Sequence, residues 1–242
     1  MAAFWRRLGR QPPASLPADA RDLLRERLPH YAELSAAQRE LLHARAGEFL
    51  AGKRFAGCNG LEVTGEMRVL IAGMACLLIL RPNAKVYPRL RSVLVYPEAF
   101  WVRHQEPDEL GLVDDEPELT LGESWSGTRV ILSWQDVQAA LAGDEVNVVA
   151  HEFAHQLDDE NPASEGAPLL PEYSRWSRVM QAAFDELCGS GSPVLDDYGA
   201  EGPGEFFAVA TEAYFQRGAA LKRHHAELYA LLRDYYLIET AA

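Results

Sequence analysis

Five residues, His151-Glu152-Phe153-Ala154-His155, constrain this chain more than any other feature. They read His-Glu-x-x-His, and Val148-Val149-Ala150 before them and Gln156-Leu157 after them favour a helix. Four residues along a helix turn by about 40° beyond one full turn and rise about 6 Å. Both imidazoles therefore leave the same face and can share one metal ion, with the Glu152 carboxylate beside them in reach of a metal-bound water. This is the spacing of a zinc peptidase helix, with Glu152 as general base. The stretch from Asp144 to Asp158 reads as one amphipathic helix, with Asp144 as N-cap and Asn147 at N3. Val146, Val149, Ala150, Phe153 and Leu157 form its apolar stripe, and Val148, His151, Glu152, His155 and Asp159 the stripe beside it.

A catalytic zinc ion takes three protein ligands and leaves a position for water. One class of such enzymes continues as His-x-x-Gly-x-x-His, but here the glycine position is Asp158 and the last position is Asn161, which excludes that class. The other histidines are poor candidates. His30, His43 and His104 precede the motif, and His224 and His225 lie in a charged stretch that reads as a solvated face. The segment Glu205 to Phe215 is more promising, because Glu205, Ala208, Val209 and Glu212 share one helix face at i, i+3, i+4 and i+7. An unpaired buried carboxylate is costly, and a metal ion compensates that cost. Glu212 lies deeper in the apolar run and is assigned as the metal ligand with His151 and His155. Glu205 is the alternative ligand, or an acceptor that orients a ligand histidine.

Composition narrows the function classes. Across 242 residues the formal net charge is −13, which argues against nucleic-acid binding through a basic surface and against attachment to an anionic membrane. Much of that charge falls in an acidic run from Glu106 to Glu123, read as a solvated loop. Three scattered cysteines, Cys58, Cys76 and Cys188, fit a reducing compartment without a disulfide framework. Met1 to Gly9 lacks the apolar core of a signal peptide. The most apolar run, Val69 to Leu80, is too short to span a bilayer and reads as a buried helix. A soluble, cytoplasmic protein is expected.

Local signals divide the chain as follows. Helices are expected over Ala18–Leu28, from a capping box at Ser35 and Gln38 to about Ala51, and over Gly65–Leu80 behind a Thr64 cap. Arg91–Tyr96 and Arg129–Trp134 are expected as strands, the second of them either an edge strand that pairs with an extended peptide or a buried strand. After the motif helix and a loop from Asp159 to Pro171, helices are expected over Pro171–Leu187, Glu205–Gln216 and Ala219–Ile238. The sum is a predominantly helical α+β protein with a small β-sheet, folded as one compact unit. Residues 1–105 form its mainly helical part and residues 120–242 its catalytic part.

Several segments together resemble one family. Gly57 to Thr64, Ala75 to Leu80, Gly122 to Ser126, Val130 to Trp134, His151 to Asp158 and Glu205 to Phe215 are similar to the Mlc titration factor A family of bacterial zinc peptidases. The resemblance runs from about Leu28 to Phe215. It implies a zincin-like catalytic core related to that of anthrax lethal factor, a zinc ion, and a glutamate third ligand that falls on Glu212. It also implies aminopeptidase-like activity on a peptide substrate and a regulatory link to an Mlc-like transcription repressor. Tyr198, in the loop before the third-ligand helix, resembles a tyrosine of the family and is assigned as the donor that stabilises the oxyanion.

Overall fold

The computed structural model describes residues 16–98, 100–102, 118–120, 122–125, 127–163 and 165–241. Most of the acidic run, His104 and the first fifteen residues, with the segment read as free of a signal peptide, lie outside the described residues. The described part is α+β and mostly helical, as expected. Its elements are α1 (Ala18–Arg27), α2 (Ala36–Gly52), β1 (Arg54–Gly57), α3 (Gly65–Leu77), β2 (Ser92–Tyr96), β3 (Phe100–Val102), β4 (Glu118–Thr120), β5 (Gly122–Trp125) and β6 (Arg129–Ser133). They continue as α4 (Trp134–Leu141), α5 (Val148–Asp158), α6 (Ser174–Ser190), a 3-10 turn (Asp197–Ala200), α7 (Pro203–Gln216), α8 (Gly218–His224) and α9 (Ala226–Tyr236).

Local chemistry sets most boundaries. Ser35 and Gln38 form the capping box that opens α2, and the Thr64 hydroxyl accepts from the Met67 backbone to open α3. The charged stretch near the C-terminus, expected inside a single helix, is broken at His225 into α8 and α9. The short helix α4, which the strand-like Val-Ile-Leu run before it conceals, starts where the Ser133 hydroxyl accepts from Asp136.

The sheet has the order β1-β2-β6-β5. Its first three strands are parallel and β5 runs antiparallel along the outer edge. Val93, Leu94 and Val95 of β2 lie opposite Val130, Ile131 and Leu132 of β6. β6 is therefore an inner strand, and the edge-strand alternative for Arg129–Trp134 is ruled out. The reason is its uninterrupted Val-Ile-Leu run, which is buried on both faces, as parallel inner strands are. The edge belongs to β5, whose short, polar sequence gave no strand signal.

Buried apolar residues from Leu16 to Ile238 form one continuous cluster. Phe153 of α5 sits at its centre, with ring centroids 4.7 Å from Tyr87 and 5.7 Å from Phe49 of α2. No helix among the described residues is long and apolar enough to cross a membrane. Cys58, Cys76 and Cys188 are all free, and burial pushes the Cys76 thiol far above its usual range.

Candidate metal centre

The motif helix α5 begins at Val148, four residues later than the sequence pattern suggests. Its N-cap is Asn147, whose side chain accepts from the Ala150 backbone N–H at 2.9 Å. Asp144 does not cap it, because Gly143 turns the chain at φ +92° and the residues up to Asn147 are not helical. Val146, counted in the apolar stripe, consequently lies outside the helix and is 45% exposed. The rest of the stripe behaves as expected. Val149, Ala150, Phe153 and Leu157 are buried and anchor one face of α5, which leaves the neighbouring face to His151, Glu152 and His155.

Helix α7 supplies the other half. Pro203 occupies its first turn, where a missing N–H costs nothing, and the sequence Phe-Phe-Ala-Val-Ala that follows Glu205 is buried. Glu205 and Glu212 stand two turns apart on the same face, and α5 runs past them so that each meets a different part of it. Glu205 Oε2 lies 3.2 Å from His151 Nε2 and 3.3 Å from His155 Nε2, and the two Nε2 atoms are 3.2 Å apart. Glu212 faces the other side of the His151 ring. Its Oε1 accepts from Nδ1 at 2.6 Å, and its Oε2 accepts from the Asn147 backbone N–H at 2.8 Å.

The side chains that converge on one point are thus His151, His155 and Glu205. The carboxylate grouped with the two histidines is that of Glu205, where the sequence reading expected Glu212. Seven residues of helix separate the two, and Glu212 is spent on the ring nitrogen that faces away from the cluster. Sequence spacing puts both carboxylates on the right face. It does not show where along that face the histidines fall, because that depends on how far α7 slides along α5.

The donor spacing fits a metal. A tetrahedral ion bound at about 2.0 Å has donor-to-donor edges of about 3.3 Å. The three edges found here are within about 0.1 Å of that. Glu205 Oε2 is buried, with the two Nε2 atoms as its close polar neighbours. With an ion bound, the Glu212 hydrogen bond would keep the His151 proton on Nδ1 and leave Nε2 to face the ion.

Without an ion, His151 and Glu205 each favour the charged form of the other. Burial by itself would lower the pKa of His151, but hydrogen bonds to Glu205 and Glu212 and the charges of Glu212 and Glu152 outweigh it and raise it to about 10. Burial opposes ionisation of Glu205, yet hydrogen bonds from His151 and His155 bring its pKa down to about 2. Its place in the first turn of α7, at the positive end of the helix, acts in the same direction.

The remaining assigned residues lie close by. Glu152, next to His151 in the chain, is only 4% exposed. Tyr198, on the 3-10 turn that packs against α7, places its ring centroid 6.1 Å from that of His151, tilted by 30°. Asp158 and Asn161, which matter in the sequence only for excluding the His-x-x-Gly-x-x-His class, shape the loop after the motif. Asp158 Oδ1 accepts from the Ala167 N–H and the Asn161 amide donates to the Ala167 carbonyl, each at 2.8 Å. His30 and His43 are structural, bonded to the Phe215 carbonyl and the Tyr31 hydroxyl. His225, read as solvated, is only 7% exposed, whereas His224 beside it is exposed.

Sequence reasoning placed Asn147 at N3 and missed its role as the N-cap, whose backbone N–H also binds Glu212. The cap is signalled by an Asn one turn before the first motif histidine, whereas the backbone contact leaves no mark in the sequence.

Comparison with known proteins agrees with this architecture. The chain is 41% identical over 234 residues to an uncharacterized protein of Synechocystis, covering 93% of this chain and 85% of that one. It is 34% identical over 197 residues to Mlc titration factor A of Klebsiella pneumoniae, covering 78% and 74%. With Mlc titration factor A of Serratia proteamaculans the identity is 30% over 235 residues, covering 93% and 89%. A family model described as glucose-regulated metallo-peptidase M90 matches residues 3–237. A two-helix cluster of metal-binding groups carried by such a sequence makes this chain a member of the M90 metallopeptidase family.

Proposed function

We propose that the protein is a zinc-dependent peptidase with aminopeptidase-like action on small peptides, in which His151, His155 and Glu205 hold the ion. The observation that carries this reading is the triangle of donor atoms at tetrahedral spacing with Glu152 buried beside it. Two imidazoles and one carboxylate suit zinc among the divalent ions. When bound, the ion supplies Lewis acidity, which polarises a carbonyl and acidifies a water.

The chain's own residues carry the rest. Glu152 takes the proton of the attacking water and returns it to the leaving amine. Glu212 keeps His151 in one tautomer and orientation through Nδ1. Tyr198 donates a hydrogen bond to the oxyanion that develops as the carbonyl carbon becomes tetrahedral. β5, an outer strand of the sheet among the described residues, offers its edge to an extended peptide. Glu152→Gln keeps the ion and loses peptidase activity by about 10²–10⁴-fold on a panel of peptides and amino-acid arylamides. Full activity in that variant, or activity that survives a chelator, would falsify the mechanism.

Several relatives carry the name Mlc titration factor A, and we infer from it a second role for this protein, capture of an Mlc-like repressor. Binding of such a repressor by Glu152→Gln separates the two roles. Retained binding without peptidase activity makes them independent, and loss of both makes capture depend on the catalytic site.

A further inference from the structure

The segment between α6 and α7 carries Tyr198 to His151, and a second histidine, His225, is bonded to its start. Ser192 Oγ accepts from the backbone N–H groups of Val194 at 3.2 Å and Leu195 at 3.0 Å. Its lone pairs are thereby occupied, so its one proton goes to the remaining neighbour, His225 Nε2, at 2.8 Å. His225 Nε2 is then an acceptor, and its ring proton sits on Nδ1, which faces the Glu186 carboxylate at 3.6 Å. His225 stands at the break between α8 and α9, with a nearly inaccessible side chain. It is buried because it holds this loop.

The rest of the segment is fastened in the same manner. Arg217 donates to the carbonyls of Pro193 at 3.0 Å and Val194 at 3.2 Å. Asp196 caps the 3-10 turn by accepting from the Tyr198 N–H at 2.9 Å. Gly199 lets that turn lie on α7, since a Cβ there would stand 3.1 Å from Leu187 and 3.3 Å from Val209. Tyr198 is 44% exposed, and its ring reaches His151 from a backbone that these bonds hold in place.

We infer that Ser192 and His225 form a positioning pair for Tyr198, holding the 192–198 segment so that the phenol stands over the metal-binding cluster. This rests on the role assigned to Tyr198 in the proposed mechanism. A displacement of about 1 Å at a catalytic donor can cost about 100-fold in rate. The pair is therefore expected to act on kcat and not on KM.

A double-mutant cycle on the zinc-loaded protein tests it. Tyr198→Phe lowers kcat by about 100-fold. Ser192→Ala lowers kcat by about 10-fold, leaves KM and bound zinc unchanged, and has no further effect when added to Tyr198→Phe. Ser192→Thr, which keeps the hydroxyl, and His225→Gln, whose amide oxygen can replace Nε2 as acceptor, stay within about 3-fold of the parent. Melting curves and zinc content show that each variant is folded. If Ser192→Ala is silent, or costs the same factor with and without Tyr198, the positioning role is overturned while the Tyr198 reading stands. A fully active Tyr198→Phe removes that reading, and the positioning role with it.

Discussion

Helices α3 and α7 are both enclosed by the rest of the protein, yet they were built for different ends. In α3, Val69, Leu70, Ile71, Ala72, Ala75 and Cys76 are completely inaccessible, and no ionisable carboxylate or imidazole interrupts them. In α7, Phe207, Ala208, Ala210 and Tyr214 are equally inaccessible, but Glu205 and Glu212 share the helix with them. Each carboxylate costs several kcal/mol to bury alone, and each is placed against histidines of α5 that offset that cost. The contrast teaches where function resides in a fold of this kind. A buried helical run without charge, as from Val69 to Leu77, is read as core, and one with two carboxylates on one stripe is read as half of a site whose other half lies elsewhere in the chain.

Substitutions on the two helices should separate these roles. Leu70→Ala removes a side chain from the middle of α3 and should lower folding stability by about 2–5 kcal/mol, with metal affinity per folded molecule unchanged. Denaturant melts and zinc titration of the same sample check this, and a matching loss of metal affinity would blur the division. Glu205→Gln should act the other way, weakening zinc binding by roughly 100-fold or more while the metal-free protein still folds.

Glu212 gives the sharper comparison within α7, because it touches His151 through the distal nitrogen. Glu212→Gln keeps an acceptor for Nδ1 and should cost about 10-fold in zinc affinity, and Glu212→Leu about 100-fold. Should Glu212→Gln release zinc as thoroughly as Glu205→Gln, the ligand assignment of the two glutamates is reversed.

The smallest effect concerns protons. With the His151 pKa raised to about 10 and that of Glu205 lowered to about 2, the metal-free site near pH 7 holds a protonated His151 and an ionised Glu205. Metal uptake must expel that proton, so affinity falls as pH falls, with release of about one proton per ion at neutral pH. Calorimetry in buffers of different ionisation enthalpy measures it. In the metal-free chain the raised His151 stabilises the fold fully below the usual 6.5, and that contribution fades as pH rises toward about 10. The lowered Glu205 stabilises it above the usual 4.5, and that contribution is lost as pH falls toward about 2.

How much of this was legible in the sequence follows from the range of the forces involved. Local signals were mostly reliable: the capping box at Ser35, the Thr64 cap and the buried run from Val69 appear where spacing puts them, and the His-Glu-x-x-His helix forms but starts at Val148 behind an Asn147 cap. Long-range register was not. The choice between Glu205 and Glu212 depends on how α7 slides along α5, and the inner position of β6 depends on β5, whose Gly-Glu-Ser-Trp sequence carries little strand signal. His225 looked solvated because its neighbours Lys222, Arg223 and His224 are. A break in the helix at that residue turns it inward.

The division of the donor set between α5 and α7 also has a consequence for synthesis. A chain elongated as far as Asp158 has made both histidines and Glu152, but only two of the three clustered donors. The third follows only after the loop and α6 have been made, and it comes within reach only when α7 docks. A half-made chain therefore holds two nitrogens without the carboxylate that completes the cluster. The order of these groups along the polypeptide delays assembly of the cluster until α7 has been made and packed on α5.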